Sequence, residues 1–183
     1  NNDNSKIFGI GLQRTGASSL NRALEILGYK SIHTPLEIYP YINDEIIDNY
    51  DALTDFPVPL FYKKLDKLYP NSKFILTTRE IDSWVKSVRW LFNSGKYIFN
   101  WDKYPIVNSV HSDFYGIPYF NERIFKEKWY EYHENVNEYF SRKSNIIKID
   151  FSKNVKWNTL CSFLDKDIPK VPFPFLNAST KNF

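Results

Sequence analysis

Cysteine occurs once in the 183 residues, methionine not at all, histidine three times and glycine six times. The lone thiol, Cys161, cannot form an intrachain disulfide, so the fold must rest on its core. That usage fits a reducing compartment. Three histidines and one cysteine form no cluster with metal-ligand spacing, and no metal is expected. No apolar run approaches the ~20 residues of a membrane-spanning helix. The first residues show no basic segment followed by an apolar one, as a signal peptide would. A cytoplasmic location without membrane attachment is therefore expected. Positive charge exceeds negative by only three, 24 Lys+Arg against 21 Asp+Glu. That balance suits a small anionic ligand and falls short of the basic stripe that nucleic acid requires. No Gly-x-Ser-x-Gly elbow is present, which leaves serine-hydrolase chemistry unsupported.

What the chain does have is apolar and aromatic, with 43% hydrophobic and 18% aromatic residues. That suffices for the core of one domain spanning residues 1–183. Lys6–Gly11 reads as a short buried strand that runs into a glycine turn, Leu12–Ala17. Leu20, Ala23, Leu24 and Leu27 then recur at helical spacing, and Gly28 is placed to end that helix. Further strands are predicted at Ser31–His33, Ala52–Thr54, Lys73–Thr78 and Asn145–Asp150. Helices are predicted over Leu36–Ile47, from Leu60 to near Pro70, around Trp84–Phe92, from Phe125 to Tyr139 and over Trp157–Leu164. Glu37 and His133 read as helix-surface residues. Val171–Pro174 reads as an extended tail. Residues 93–120 have no steady period and read as a long loop or short helical insert, a segment suited to a binding lid. Strands alternating with helices imply an α/β fold, a P-loop-like three-layer α/β/α sandwich around a parallel sheet.

Two places along this pattern suit anions. A strand, a glycine turn and a helix leave unpaired N–H groups at a helix start, where the dipole is positive. Gly11 and Gly16 have the spacing of the nucleotide P-loop, and Ser18 takes its hydroxyl position. Its lysine position is Ala17, which argues against nucleotide-triphosphate hydrolysis. A cation stands earlier instead, at Arg14. Arg14, Thr15, Ser18 and Ser19 with the loop N–H groups could hold a phosphate or sulfate. The plain alternative is an ordinary surface turn. The second place is Arg79, at the carboxyl end of the strand Lys73–Thr78, where ligands of open α/β sheets gather. Ser83 and Ser87 share one face of the helix that follows. Here the plain alternative is a solvated arginine.

These residues resemble a family. Gly11-Leu-Gln-Arg-Thr-Gly-Ala-Ser-Ser-Leu20 is similar to the 5′-phosphosulfate loop of sulfotransferases that use 3′-phosphoadenosine 5′-phosphosulfate (PAPS). It is most similar to the soluble branch with the loop G-L-x-R-T-G-T-x-S-L. Lys73 to Ser87 resembles the family's 3′-phosphate motif of strand, Arg, Trp and Ser. Thr54-Asp-Phe-Pro57 with Phe61-Tyr-Lys63 resembles that branch's T-D-x-P segment. Trp157, Leu160-Cys161, Phe163-Leu164, Pro172-Phe-Pro174 and Asn177 resemble its C-terminal signature. His111-Ser-Asp-Phe-Tyr115 resembles a segment found in the same branch. The motifs span most of the chain in the family's order.

The resemblance implies transfer of a sulfuryl group from PAPS to a hydroxyl or amine, releasing adenosine 3′,5′-bisphosphate (PAP), without a metal. Carried over, Arg14 is the loop cation that stabilises charge on the transferring group. Thr15, Gly16, Ala17, Ser18 and Ser19 would cradle the 5′-phosphate, and Arg79 and Ser87 would hold the 3′-phosphate. Asp55 is the candidate general base and His33 its rival. Read without the family, Asp55 is better taken as a turn or helix-capping aspartate before Pro57 and Pro59. Asp113 and His111 are candidates for binding a small-molecule acceptor. Trp90, Phe92, Trp101, Tyr104 and Phe114 suit either a ring-binding pocket or the core. The loop departs from the family at Ala17, which replaces a threonine. Ser19 stands where cytosolic members stack a tryptophan on adenine, and of their basic C-terminal loop only Lys181 is present. Two other classes stay open: a P-loop kinase using ATP and magnesium, and a nucleotide-binding module without chemistry.

Overall fold

The computed structural model describes residues 5–153 and 157–176. Asn177 of the C-terminal signature and Lys181 lie outside the described residues. The strands are β1 (Ile7–Gly9), β2 (Ser31–His33), β3 (Ala52–Thr54), β4 (Lys73–Thr78) and β5 (Ile146–Asp150). The helices are α1 (Ala17–Ile26), α2 (Asp44–Asp48), α3 (Val58–Leu68), α4 (Ile81–Trp90), α5 (Lys96–Ile98), α6 (Pro105–Tyr115), α7 (Glu122–Phe140) and α8 (Trp157–Leu164).

Among the described residues the strands make one parallel sheet in the order β2-β3-β1-β4-β5. β1 lies at the centre, so both faces and both edges of it are covered, and all three of its residues are buried. Alternate residues along each strand feed opposite faces. Phe8, Leu53, Phe74 and Leu76 pack with α3, α4, α6 and α7. Ile7, Ala52, Ile75 and Ile149 pack with Leu20 and Leu24 of α1 and Leu160 and Leu164 of α8. The fold is thus the expected three-layer α/β/α arrangement. Its strands run parallel, so all their carboxyl ends, and the loops that leave them, fall on one edge.

Local chemistry sets the element ends. The Glu80 carboxylate caps α4, accepting from the N–H groups of Asp82 and Ser83, each at 2.8 Å. Asn121 caps α7 through Ile124 N–H at 3.1 Å. Gly28, with φ of 91°, ends the first helical segment as expected.

Three expectations are corrected. The helix read over Leu36–Ile47 is a short 3₁₀ turn, Leu36–Ile38, then an extended Tyr39, then α2. Pro40 forces its predecessor out of helical backbone, and the Asn43 side chain starts α2 afresh by accepting from Ile46 N–H. Residues 93–120, read as a long loop or a short helical insert, are largely helical, so the loop alternative falls and the insert stands. A π-helical turn, Leu91–Gly95, carries α4 into α5, and α6 follows. His133 is not on the helix surface but 5% exposed. Its Nδ1–H donates to Trp129 O at 2.7 Å, which leaves Nε2 to accept the Thr78 hydroxyl at 3.2 Å.

Candidate active site at the carboxyl edge of the sheet

One cavity of about 650 Å³ opens along this edge. The carboxyl end of β2 contributes His33 to its lining, and the segments that follow β1, β3, β4 and β5 contribute Arg14, Asp55, Arg79 and Phe151. The strand order explains the convergence. Chain segments diverge to either side of β1, and a crevice forms where they part.

The glycine turn after β1 is built to lie close against β4. A methyl group at Gly11 would sit 1.9 Å from Thr77 Oγ1, so only glycine fits. The Thr15 hydroxyl donates to Leu12 O and receives the Thr77 hydroxyl at 2.8 Å. Thr15 therefore fixes the turn with its side chain and offers the cavity its backbone. Arg14 and Gly16 hold left-handed backbone, with φ of 65° and 102°. Gly16 caps α1 with no side chain of its own in the way, and added bulk there would meet the Phe151 ring at 2.4 Å. The start of this helix, Gly16, Ala17, Ser18 and Ser19, lines the cavity, and a helix start carries the positive end of the helix dipole.

Arg14 and Arg79 are the cations of the site, and both spend their hydrogen bonds on neutral partners. Arg14 Nε donates to Ser87 Oγ at 2.8 Å, and its guanidinium lies 5.0 Å from the Trp90 ring centroid. Arg79 Nη1 donates to Arg14 O at 3.0 Å, and its Nη2 meets Ser83 Oγ. The serine that meets Arg79 is therefore Ser83, whereas Ser87 holds Arg14. Burial lowers the pKa of both arginines, and the like charge of Arg79 lowers that of Arg14 further, with Asp55 acting in the opposite sense. An anion between them would relieve both desolvation and repulsion.

Asp55 lies at the end of β3 with φ of 70°, a strained backbone of the kind found at working sites. Its carboxylate does not cap α3, which begins at Val58 after Pro57 as N-cap, without a side-chain cap. Oδ1 accepts from Phe56 N–H at 2.8 Å, and Oδ2 accepts the Thr34 hydroxyl at 3.3 Å. His33 Nε2 also approaches Oδ2, at 3.3 Å. The other imidazole nitrogen, Nδ1, is 3.0 Å from Thr54 Oγ1. Ser18 Oγ lies 3.2 Å from the same Nε2. Asp55, His33 and the start of α1 are therefore in contact.

Within the lining, Phe151 lies close to Gly16 and Leu176 to Ser19, while Phe56 and Trp101 pack about His111. Of the remaining ring candidates, Tyr104 lines the cavity, while Phe92 and Phe114 pack into the core. Asp113 lies on the exposed side of α6, where its carboxylate accepts the Tyr39 hydroxyl. Ser19 lines the cavity as well, and its hydroxyl binds the tail. Its Oγ accepts from Leu176 N–H at 2.8 Å and donates to Leu176 O at 3.1 Å.

Sequence reasoning missed Gln13, Trp90 in its role beside Arg14, and Phe175. Trp90 follows Ser87 by three residues and so shares its helix face, which was a readable signal. Gln13 occupies the variable position of the loop motif. Phe175 is brought in by a contact 157 residues distant in sequence, between Ser19 and Leu176, and nothing local announces it.

Among the described residues no group of three or more His, Cys, Asp or Glu could hold a metal ion. Among them, too, no helix is long and apolar enough to cross a membrane.

A parallel α/β sheet with a glycine turn at a helix start, two partly buried arginines and a carboxylate around one crevice defines an α/β protein with a site suited to an anion. Comparison with known proteins narrows the class. The family model described as a sulfotransferase domain matches residues 6–44 and 40–182, and the chain belongs to that family. It is also similar to a protein named Ava biosynthesis cluster protein M from Aspergillus versicolor. The two are 26% identical over 221 residues, which cover 97% of this chain and 82% of that protein.

Proposed function

We propose that the chain transfers the sulfuryl group of PAPS to a hydroxyl of a small acceptor, with Asp55 as general base. The observation that carries this reading is the convergence of Asp55, Arg14 and Arg79 on one cavity with the glycine turn. The cavity suits the donor on chemical grounds. The start of α1 offers backbone N–H groups for a 5′-phosphate, and the cation Arg79 lies at the end of β4 for a second phosphate. Ala17 stands where a triphosphate-cleaving loop carries lysine.

In the transfer, the acceptor oxygen attacks sulfur as its proton passes to Asp55 Oδ2 or Oδ1. The bond between sulfur and the bridging phosphate oxygen breaks, and that oxygen leaves on PAP. Arg14 lies beside the loop, where it offsets negative charge that grows on the sulfuryl and leaving oxygens. Such preorganised charge is worth most in a partly dry site. His33, with Thr54 on its other nitrogen, orients the Asp55 carboxylate.

Calorimetric titration with PAP in magnesium-free buffer tests the reading, with AMP and ATP as controls. Tight PAP binding with weak AMP binding, followed by sulfation of a phenol from PAPS, supports it. Preference for ATP with magnesium would sink it.

A further inference from the structure

The inner wall of the cavity carries chemistry that the charged loop does not use. Gln13 and His111 both line the cavity, yet they are 5% and 4% exposed. Gln13 Nε2 and His111 Nδ1 have no hydrogen-bond partner among the described residues. Most buried polar atoms are paired, and an unmade bond in a dry site is destabilising. Two such atoms on one cavity wall therefore ask for a ligand atom.

Tyr115 links the two side chains. Its hydroxyl donates to Gln13 Oε1 at 3.0 Å, and its ring centroid lies 6.4 Å from that of His111. This fixes one arm of the Gln13 amide and leaves the other for a partner. Around His111 the wall is aromatic, with ring centroids of Trp101 at 4.8 Å and Phe56 at 6.2 Å, and Phe92 backs it from the core at 4.6 Å. Burial pushes the His111 pKa down to about 3, so its ring is neutral near pH 7. A neutral imidazole has one donor and one acceptor nitrogen, and an amide N–H₂ only donates. Neither group carries a charge with which to neutralise an ion. The terminal torsions of both side chains are soft, so a modest turn presents either polar edge to the cavity.

We propose that Gln13 and His111 form an uncharged hydrogen-bonding subsite for the acceptor, which reads a second, neutral polar atom of that molecule and rejects charged analogues. The aromatic wall takes the flat apolar body of that molecule, and Asp55 addresses its reacting hydroxyl. The proposal rests on the sulfotransferase reading for the identity of the ligand, but the subsite can be tested without catalysis.

The probes are 2-naphthol, the 1,5-, 2,6- and 2,7-dihydroxynaphthalenes, and 6-hydroxy-2-naphthoate. Each is titrated into the full chain with and without PAP. At least one diol is expected to bind about tenfold more tightly than 2-naphthol, the equivalent of one hydrogen bond to a buried group. The naphthoate is expected to bind at least about tenfold more weakly than that diol, because its charge is desolvated without a counter-ion. His111→Phe keeps an aromatic ring and removes both nitrogens. It should bring the ratio of diol to 2-naphthol close to one while leaving PAP affinity unchanged. Gln13→Met is the second variant, with the same expected direction.

The proposal is overturned if no diol is preferred by the wild-type protein, or if the naphthoate binds as well as the diol. A diol preference that survives both variants also overturns it. So does an ordered water on Gln13 Nε2 and His111 Nδ1 that persists in a crystal structure with the diol bound. Should a variant fail to fold, the wild-type ranking of the probes still decides. Absence of PAP binding with the diol preference intact would remove the sulfotransferase reading and leave the subsite standing.

Discussion

The imidazole of His33 places Nε2 3.3 Å from Oδ2 of Asp55, so the two candidate bases lie against each other. Their division of labour follows from the surroundings. If Nε2–H donates to Asp55, then Nδ1 must accept, and the Thr54 hydroxyl at 3.0 Å supplies that proton. In this arrangement the carboxylate is the acceptor of protons and the imidazole holds it in place.

Asp55→Asn is accordingly expected to reduce turnover with PAPS by about 10²- to 10⁴-fold, the usual contribution of a positioned general base. PAP affinity should hardly change. His33→Gln should reduce kcat by a smaller factor, about tenfold, with little change in KM for PAPS. Steady-state kinetics of both variants make the check. A larger loss from His33 than from Asp55 would reverse the assignment.

Arg79 offers a sharper test of the nucleotide site. It lies at the end of β4 and is held by Arg14 O and Ser83. Arg79→Ala is expected to weaken PAP by at least about 100-fold, as loss of a charge-assisted contact to phosphate would. AMP, which lacks the 3′-phosphate, should lose much less. Equal losses for PAP and AMP in calorimetry would show that Arg79 serves the loop and not a second phosphate.

The sheet and its loops were legible because parallel strands, β-branched runs and a glycine turn are local signals. Lys73–Thr78 and Ser31–His33 coincide with β4 and β2. Asp55, Arg14 and Arg79 were legible because each directly follows or nearly follows such a strand, where carboxyl-end residues converge. The pairings between side chains were not. Which of Ser83 and Ser87 meets Arg79 depends on a rotation about α4 that periodicity does not resolve. Ser87 goes to Arg14 because the turn after β1 carries that arginine across α4 to Trp90. The helical segment Pro105–Tyr115 was illegible for another reason. Its buried side, Val110, His111 and Tyr115, mixes apolar and polar residues, so no clean stripe marks it.

Ser19 makes a prediction of its own. Its hydroxyl both accepts from and donates to Leu176, and this clasp sets Phe175 and Leu176 on the cavity wall beside the glycine turn. Ser19→Ala removes both bonds, at a net of about 1–2 kcal/mol. Cleavage by chymotrypsin after Phe175 should accelerate, and PAP affinity should fall by about 3- to 10-fold. Phe175→Ala should weaken PAP through loss of the ring alone. Unaltered cleavage in Ser19→Ala would mean that the packing of Phe173 against Phe151 and Trp157 holds the tail by itself.

Two buried histidines fix how stability responds to acid. Burial lowers the pKa of His111 to about 3 and that of His133 to about 4, from an ordinary value of 6.5. Both are neutral in the folded protein at pH 7. Below pH 6.5 the unfolded chain takes up protons that the folded chain still refuses. Stability therefore falls as pH falls, beginning near 6.5 and continuing to about 4 for His133 and about 3 for His111. Within that window each histidine contributes a slope of about 1.4 kcal/mol per pH unit. His111→Phe and His133→Gln should each flatten the decline in stability between pH 6 and 4 by about that slope, read from urea denaturation at several pH values. Carboxylates add their own acid sensitivity, but equally to wild type and variants, so the difference isolates the histidine. Parallel curves for wild type and His111→Phe would mean that His111 is protonated in the folded state, and the uncharged wall of the cavity would be lost with it.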